Sequence, residues 1–245
     1  MNEPTTAAAM PCGPAGSTAV TRVLLAAGVL AGPLFVVVTA VQVVRREGFD
    51  LGRHGISLLS LGDGGWVQVA NFVLAGVLSI AFAVGLHRAL RPGFGAVVAP
   101  VLTAGYGLGL IVTGLFLVDP GVGFPPGTAD GVPAQRSWHG AVHAVAPPVA
   151  FLFLVGVCVV LALRFARLNR RGWASYSALT GLSAICLIFW PGGAGSVRSA
   201  IAVVLTSFWV SAIAIELLVE LVSRSPSGNS DGDPGLGSPS QRAPR

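Results

Sequence analysis

The sequence predicts an all-α protein, a six-transmembrane-helix bundle with N- and C-termini cytoplasmic. Three observations carry that prediction. Of 245 residues, 53% are hydrophobic and only 10% are charged, whereas soluble domains carry about 25% charged residues. The mean hydropathy is +0.76. The apolar residues also gather into six runs, each near the roughly 20 residues that cross a bilayer as a helix.

Residues 1–21 are rich in Ala, Thr, Pro and Gly, without periodicity, and read as a flexible tail. A first helix follows over about 23–44. It is longer than the apolar core of a cleaved signal peptide, about 7–15 residues, so it reads as a retained span. Membrane helices tolerate an interior proline such as Pro33 where neighbours re-satisfy the backbone. In the next loop, Arg53 to Leu61 is too short to span and reads as an interfacial amphipathic element. Asp63 suits the start of the second helix, and Trp66 suits the aromatic belt.

The second helix covers about 67–86. Gln68 and Asn71 share a face, which in a membrane is expected to look into the bundle. His87, Arg88 and Arg91 form a basic turn. The third helix spans about 96–118, where Gly105-Tyr106-Gly107-Leu108-Gly109 permits close backbone approach, and Asp119-Pro120 ends it. The fourth, about 139–163, contains Pro147-Pro148. These supply no amide hydrogens to the carbonyls of His143 and Ala144, which predicts a kink. Beyond the basic cluster Arg164, Arg167, Arg170 and Arg171 come a fifth helix, about 173–190, and a sixth, about 199–221. Residues 223–245 are Ser/Pro/Gly-rich and read as a disordered tail.

The net charge of +5 comes entirely from Arg, since the chain has no Lys. The arginines sit in short clusters between apolar runs, where they set orientation instead of binding nucleic acid. With the N-terminus inside, they concentrate on the cytoplasmic side, while the opposite loops mix arginines with acids. The Arg164–Arg171 cluster is then expected to attract anionic lipid, at about 1 kcal/mol per residue near the surface. Cys12, Cys158 and Cys186 form no disulfide framework. The two inside apolar runs read as small apolar fillers.

Candidate chemistry concentrates between Asp119 and His143. His139 and His143 are four residues apart and project from one helix face. Asp119 ends the preceding helix, and antiparallel neighbours pack about 8–10 Å apart. Two histidines and a carboxylate with an open position form a catalytic zinc arrangement, so zinc is the candidate cofactor and Asp119, His139 and His143 its candidate ligands. His54 falls on the same side and is a candidate general base or fourth ligand, with Ser57 a candidate nucleophile. The competing reading is structural: interfacial histidines hydrogen-bonded to loop carbonyls, and serines in turn or capping roles. Glu216 and Glu220, one turn apart near the end of the sixth helix, read as ion-pair partners of Arg164, Arg167 or Arg22. No phosphate-binding loop or dinucleotide fingerprint appears.

The run Ser57-Leu58-Leu59-Ser60-Leu61-Gly62, followed by Trp66, Asn71, Gly114, Asp119-Pro120, His139-Gly140 and His143, resembles the bacterial membrane family called domain of unknown function 998. The likeness covers roughly 25–221 and implies about six helices with no established activity. A fainter resemblance, on Ser57, Asp119, His139 and His143, is to the membrane hydrolases that include alkaline ceramidases and adiponectin-receptor-like proteins, which hold zinc within the bilayer. Those have seven helices and carry the histidine pair on the last, whereas here it lies on the fourth. Three functions follow as expectations: a structural or lipid-interacting protein of the bacterial plasma membrane; a metal-dependent hydrolase of a lipid or lipid-linked substrate at the outer leaflet; or a small transporter.

Overall fold

The computed structural model describes residues 14–133 and 135–223. Most of both predicted tails lies outside that range. The described chain is helical: α1 (Pro14–Arg45), α2 (Gly65–Leu90), α3 (Val98–Leu115), α4 (Trp138–Arg167), α5 (Arg171–Phe189) and α6 (Gly195–Ser223). All six are long and apolar enough to cross a membrane, so this is a multi-pass membrane protein. Each helix packs on its chain neighbours, and α6 closes the ring against α1. Two faces result. The long-loop face carries residues 46–64, 116–137 and 190–194; the terminal face carries the short connections and the ends of α1 and α6.

Several boundaries differ from the expectation. The first helix begins at Pro14, so residues 14–21 are helix and not tail. The third ends at Leu115, because the chain from Phe116 swings away to carry Asp119 over the start of α4. Only Ile56–Ser60 of the expected interfacial element is helical, as one 3₁₀ turn, and Leu58, Leu59 and Ser60 are buried. It is tucked into the end of the bundle. Helix α4 is assigned as continuous through Pro147-Pro148.

The interior is a membrane core in miniature. In the terminal half, Leu25, Phe82, Leu86, Leu161, Trp209 and Ile213 are among the buried side chains that pack together. The Trp209 indole N–H donates to Ser177 Oγ at 3.1 Å, which satisfies the one polar atom of a fully buried ring. Leu30, Val37, Leu108, Leu152, Leu179 and Phe208 face outward, as lipid-facing side chains do. Helices α2 and α3 meet backbone to backbone: a Cβ on Gly76 would stand 2.5 Å from the Gly107 carbonyl oxygen. The glycine run therefore serves the close approach expected of it.

Gln68 and Asn71 are buried and look inward, where they join α1. Gln42 Nε2 donates to Gln68 Oε1 at 2.7 Å, and Asn71 Nδ2 donates to the Phe35 carbonyl and to Thr39 Oγ1, both at 3.1 Å. Such bonds in the membrane are individually modest, about 0.6–2 kcal/mol. Together they set the register of α1 on α2 at the long-loop end.

Candidate functional site

The long-loop face is one knitted structure. Arg46 donates to the carbonyls of Leu61 and Asp63, and its guanidinium lies 5.8 Å from the centroid of the Phe124 ring. Asp63 thus contributes its carbonyl here, and the residue that caps α2 is Gly64. Phe49, His54 and Phe124 pack as an aromatic cluster, with centroids 5.3–5.4 Å apart. Arg53 pairs with Asp130 at 3.0 Å on the surface, and Ser196 Oγ donates to the Gly52 carbonyl at 3.1 Å. The two long loops and the first turn of α6 are joined in this way.

His54 is buried within that knot. Its Nδ1 accepts from the Asp50 backbone N–H at 2.9 Å, so Nε2 carries the proton and donates to the Val122 carbonyl at 3.0 Å. Both nitrogens are used, and the ring serves as a strut between loops. It is not poised as a general base. Val122 is a β-branched residue at φ 57°. That left-handed backbone is a genuine outlier for its type, and the His54 bond and the Val122 N–H to Gly131 carbonyl bond of 2.7 Å hold it there.

Asp119 organises the start of α4. Its carboxylate accepts from the Ser137 hydroxyl at 2.5 Å and from the Ser137 backbone N–H at 2.9 Å. Ser137 Oγ accepts from the Gly140 N–H at 3.0 Å, which caps the helix. A Cβ on Gly140 would stand 2.1 Å from Asp119 Oδ2, so only glycine fits beneath the carboxylate. The Ser137 hydroxyl, ahead of the backbone N–H and of the charges of Arg136 and His139, holds the Asp119 carboxyl below the usual carboxylate range.

The two histidines of α4 part company. His139 is exposed and stacks on Trp138, centroids 3.7 Å apart, with Phe116 at 5.8 Å. His143, one turn deeper, is 4% exposed. Its Nδ1–H donates to the Phe116 carbonyl at 2.7 Å, at the frayed end of α3, and the Thr113 carbonyl also faces the ring. A carbonyl can only accept, so Nε2 is the bare nitrogen, the opposite tautomer to His54. That Nε2 is buried and makes no hydrogen bond. Asp119, His139 and His143 are therefore not gathered around one point. Among the described residues no three His, Cys, Asp or Glu side chains stand where they could share a metal ion.

What the fold does gather is a cavity of about 260 Å³ between the 3₁₀ turn, the 116–137 loop and the first turns of α4. Ser57, Asp119, Arg136 and His143 line it, with Leu58, Val118 and Val122 among its apolar walls. Arg136 is exposed and makes no hydrogen bond or ion pair among the described residues. Sequence reasoning counted Arg136 only toward orientation and passed over Ser137. A serine directly before an apolar run was the available signal for its cap. By contrast, the interior cavities deeper in the bundle, one beside Ser207 and one beside Trp209, measure about 20 Å³ and 10 Å³.

The terminal face is closed by its own arginines. Arg170 donates to both Glu216 and Glu220, which makes it the partner of that acidic pair in the expected ion pairing. Arg164 donates to the Phe94 carbonyl at 2.6 Å, and the Arg167 guanidinium lies 3.7 Å from the centroid of the Phe94 ring.

A family model described as "Protein of unknown function (DUF998)" matches residues 29–216. No curated protein and no solved structure matches the chain.

Proposed function

The chain belongs to the DUF998 family, and on that premise we propose that it is a lipid-interacting protein of the bacterial plasma membrane whose long-loop cavity receives the polar part of a membrane lipid. In this reading both termini are cytoplasmic, as the arginine distribution favours, and the cavity faces the outer leaflet. The observation that carries the reading is the cavity's lining and level. It lies at the first turns of α4, a helix apolar enough to cross a membrane, and sets the Arg136 guanidinium, without a hydrogen bond or ion pair among the described residues, beside mostly apolar walls. Ligand sites commonly have that make-up, apolar surface with a few placed polar groups.

The alternatives have less support. A transporter calls for a path through the bundle, and a cavity must offer about 10–15 Å³ to hold even one water; the deep cavities beside Ser207 and Trp209 are of that order. A metal-dependent hydrolase calls for three converging ligands, and among the described residues no three His, Cys, Asp or Glu side chains stand where they could share an ion. Native mass spectrometry of protein purified in mild detergent tests the proposal. Wild type should retain phospholipid, and Ala144→Trp, which fills the cavity from the exposed side of α4, should lose it. Wild-type protein that carries no lipid and takes none up from mixed micelles would refute the reading. Metal analysis of the same sample tests the hydrolase: stoichiometric zinc that disappears in His143→Ala would favour it.

A further inference from the structure

We propose that the long-loop cavity selects a phospholipid headgroup that combines a phosphate with a hydrogen-bond donor beyond it, a hydroxyl or an ammonium, with Arg136 taking the phosphate and His143 Nε2 accepting from the donor. The inference rests on the lipid reading above and adds the headgroup chemistry. It begins with the tautomer. The Phe116 carbonyl fixes the His143 proton on Nδ1, so Nε2 is an acceptor. A buried acceptor without a partner is an energetic deficit, and Nε2 is in that state. A donor group seated against His143 removes the deficit, whereas a methyl group in the same place leaves it.

Besides the Ser57 hydroxyl, the other polar side chain of the lining, Asp119, has a role already. Both Asp119 oxygens accept from Ser137, which in turn caps α4. The carboxylate thus holds the helix start, with one acceptor site of each oxygen in use. Arg136 is the cation left over at the rim, and guanidinium geometry matches phosphate oxygens in a bidentate fork. An anion at the rim and a donor further in, joined by a short linker, is the shape of a glycerol- or ethanolamine-bearing phosphodiester. The apolar walls at Leu58, Val118 and Val122 suit the carbon backbone between them.

Two probes of equal charge and equal chains separate the contributions. Dioctanoyl phosphatidylglycerol has hydroxyls beyond its phosphate; dioctanoyl phosphatidylmethanol ends in a methyl. Titrated into the detergent-purified full chain, the glycerol lipid should bind wild type about tenfold more tightly. The variant His143→Phe should erase that preference, and Arg136→Gln should weaken both lipids alike. Equal affinities in wild type overturn the proposal, and that comparison needs no variant, so it stands even if His143→Phe fails to fold. A preference that survives in folded His143→Phe overturns the role of His143. Deacylated glycerophosphoglycerol should bind at least tenfold more weakly; equal binding would assign the site to a water-soluble phosphodiester and overturn the lipid assignment. If neither lipid binds at all, the lipid reading fails together with this one, whereas equal binding of both defeats only the headgroup selection.

Discussion

The two faces of the bundle use the same kinds of side chain to different ends. On the terminal face Arg170 meets two glutamates and Arg164 and Arg167 clamp Phe94, so these cations are taken up within the fold. On the long-loop face Arg46 and Arg53 are likewise taken up, yet Arg136 and the Nε2 of His143 remain over, and both residues line one cavity. The lesson is that counting basic residues locates charge but not availability. Of the four clustered arginines expected to draw anionic lipid, three are already in contact with Glu216, Glu220 or Phe94.

The contrast can be broken, most forcefully at Gly140. Gly140→Val drives a side chain into Asp119 and should destabilise the protein by about 3 kcal/mol, read as a lower unfolding midpoint in detergent. A variant within about 0.5 kcal/mol of wild type, the usual range of inert surface changes, would show that the carboxylate is not fixed there. On the terminal face, Arg170→Ala leaves two partly buried carboxylates side by side and should cost about 2 kcal/mol. Arg170→Lys should recover less than half, because an ammonium cannot fork between two acids. Full recovery would make the tie a plain charge contact.

The two buried histidines sharpen the contrast within one face. His54→Phe strands the Asp50 N–H and the Val122 carbonyl, about 1–2 kcal/mol, whereas His143→Phe strands only the Phe116 carbonyl, about 1 kcal/mol or less. Equilibrium unfolding of both variants checks the order, and a reversed order would mean that His143, and not His54, is the strut. The smallest expected effect is a pH dependence. The folded Asp119 carboxyl binds its proton less tightly than the unfolded one. Its contribution is complete above about pH 4 and is lost as the pH falls below that through the folded value. Unfolding midpoints between about pH 5 and pH 3 should therefore fall less steeply in Asp119→Asn than in wild type.

The six helices were legible because the bilayer imposes length and composition on each span, and Gln68 and Asn71 announced their inward face by spacing alone. The site was legible only in outline. Spacing of four placed His139 and His143 on one side of a helix, but spacing gives direction around an axis, not depth along it. At one level that side meets Trp138 and Phe116; a turn deeper it meets the frayed end of α3. Likewise the acids of α6 promised an ion pair with Arg164, Arg167 or Arg22, and the cation that the fold brings to both is Arg170. The chain turns sharply at Asn169, φ 57°, and presents Arg170 to α6, while Arg164 and Arg167 face Phe94 in the loop between α2 and α3. Such choices depend on which helices become neighbours.

The knit of the long loops bears on how the chain is threaded into the membrane. The loop after α1 reaches the bilayer early in synthesis, but the groups it binds, Val122, Asp130 and Ser196, arrive only with the α3–α4 loop and the start of α6. Until then Arg53 lacks Asp130, and His54 holds the Asp50 N–H of its own loop but not the Val122 carbonyl. The Ser196 tie therefore closes last, once α6 has arrived, whereas every residue that lines the cavity lies at or before Ala144 and is in hand once the start of α4 is placed.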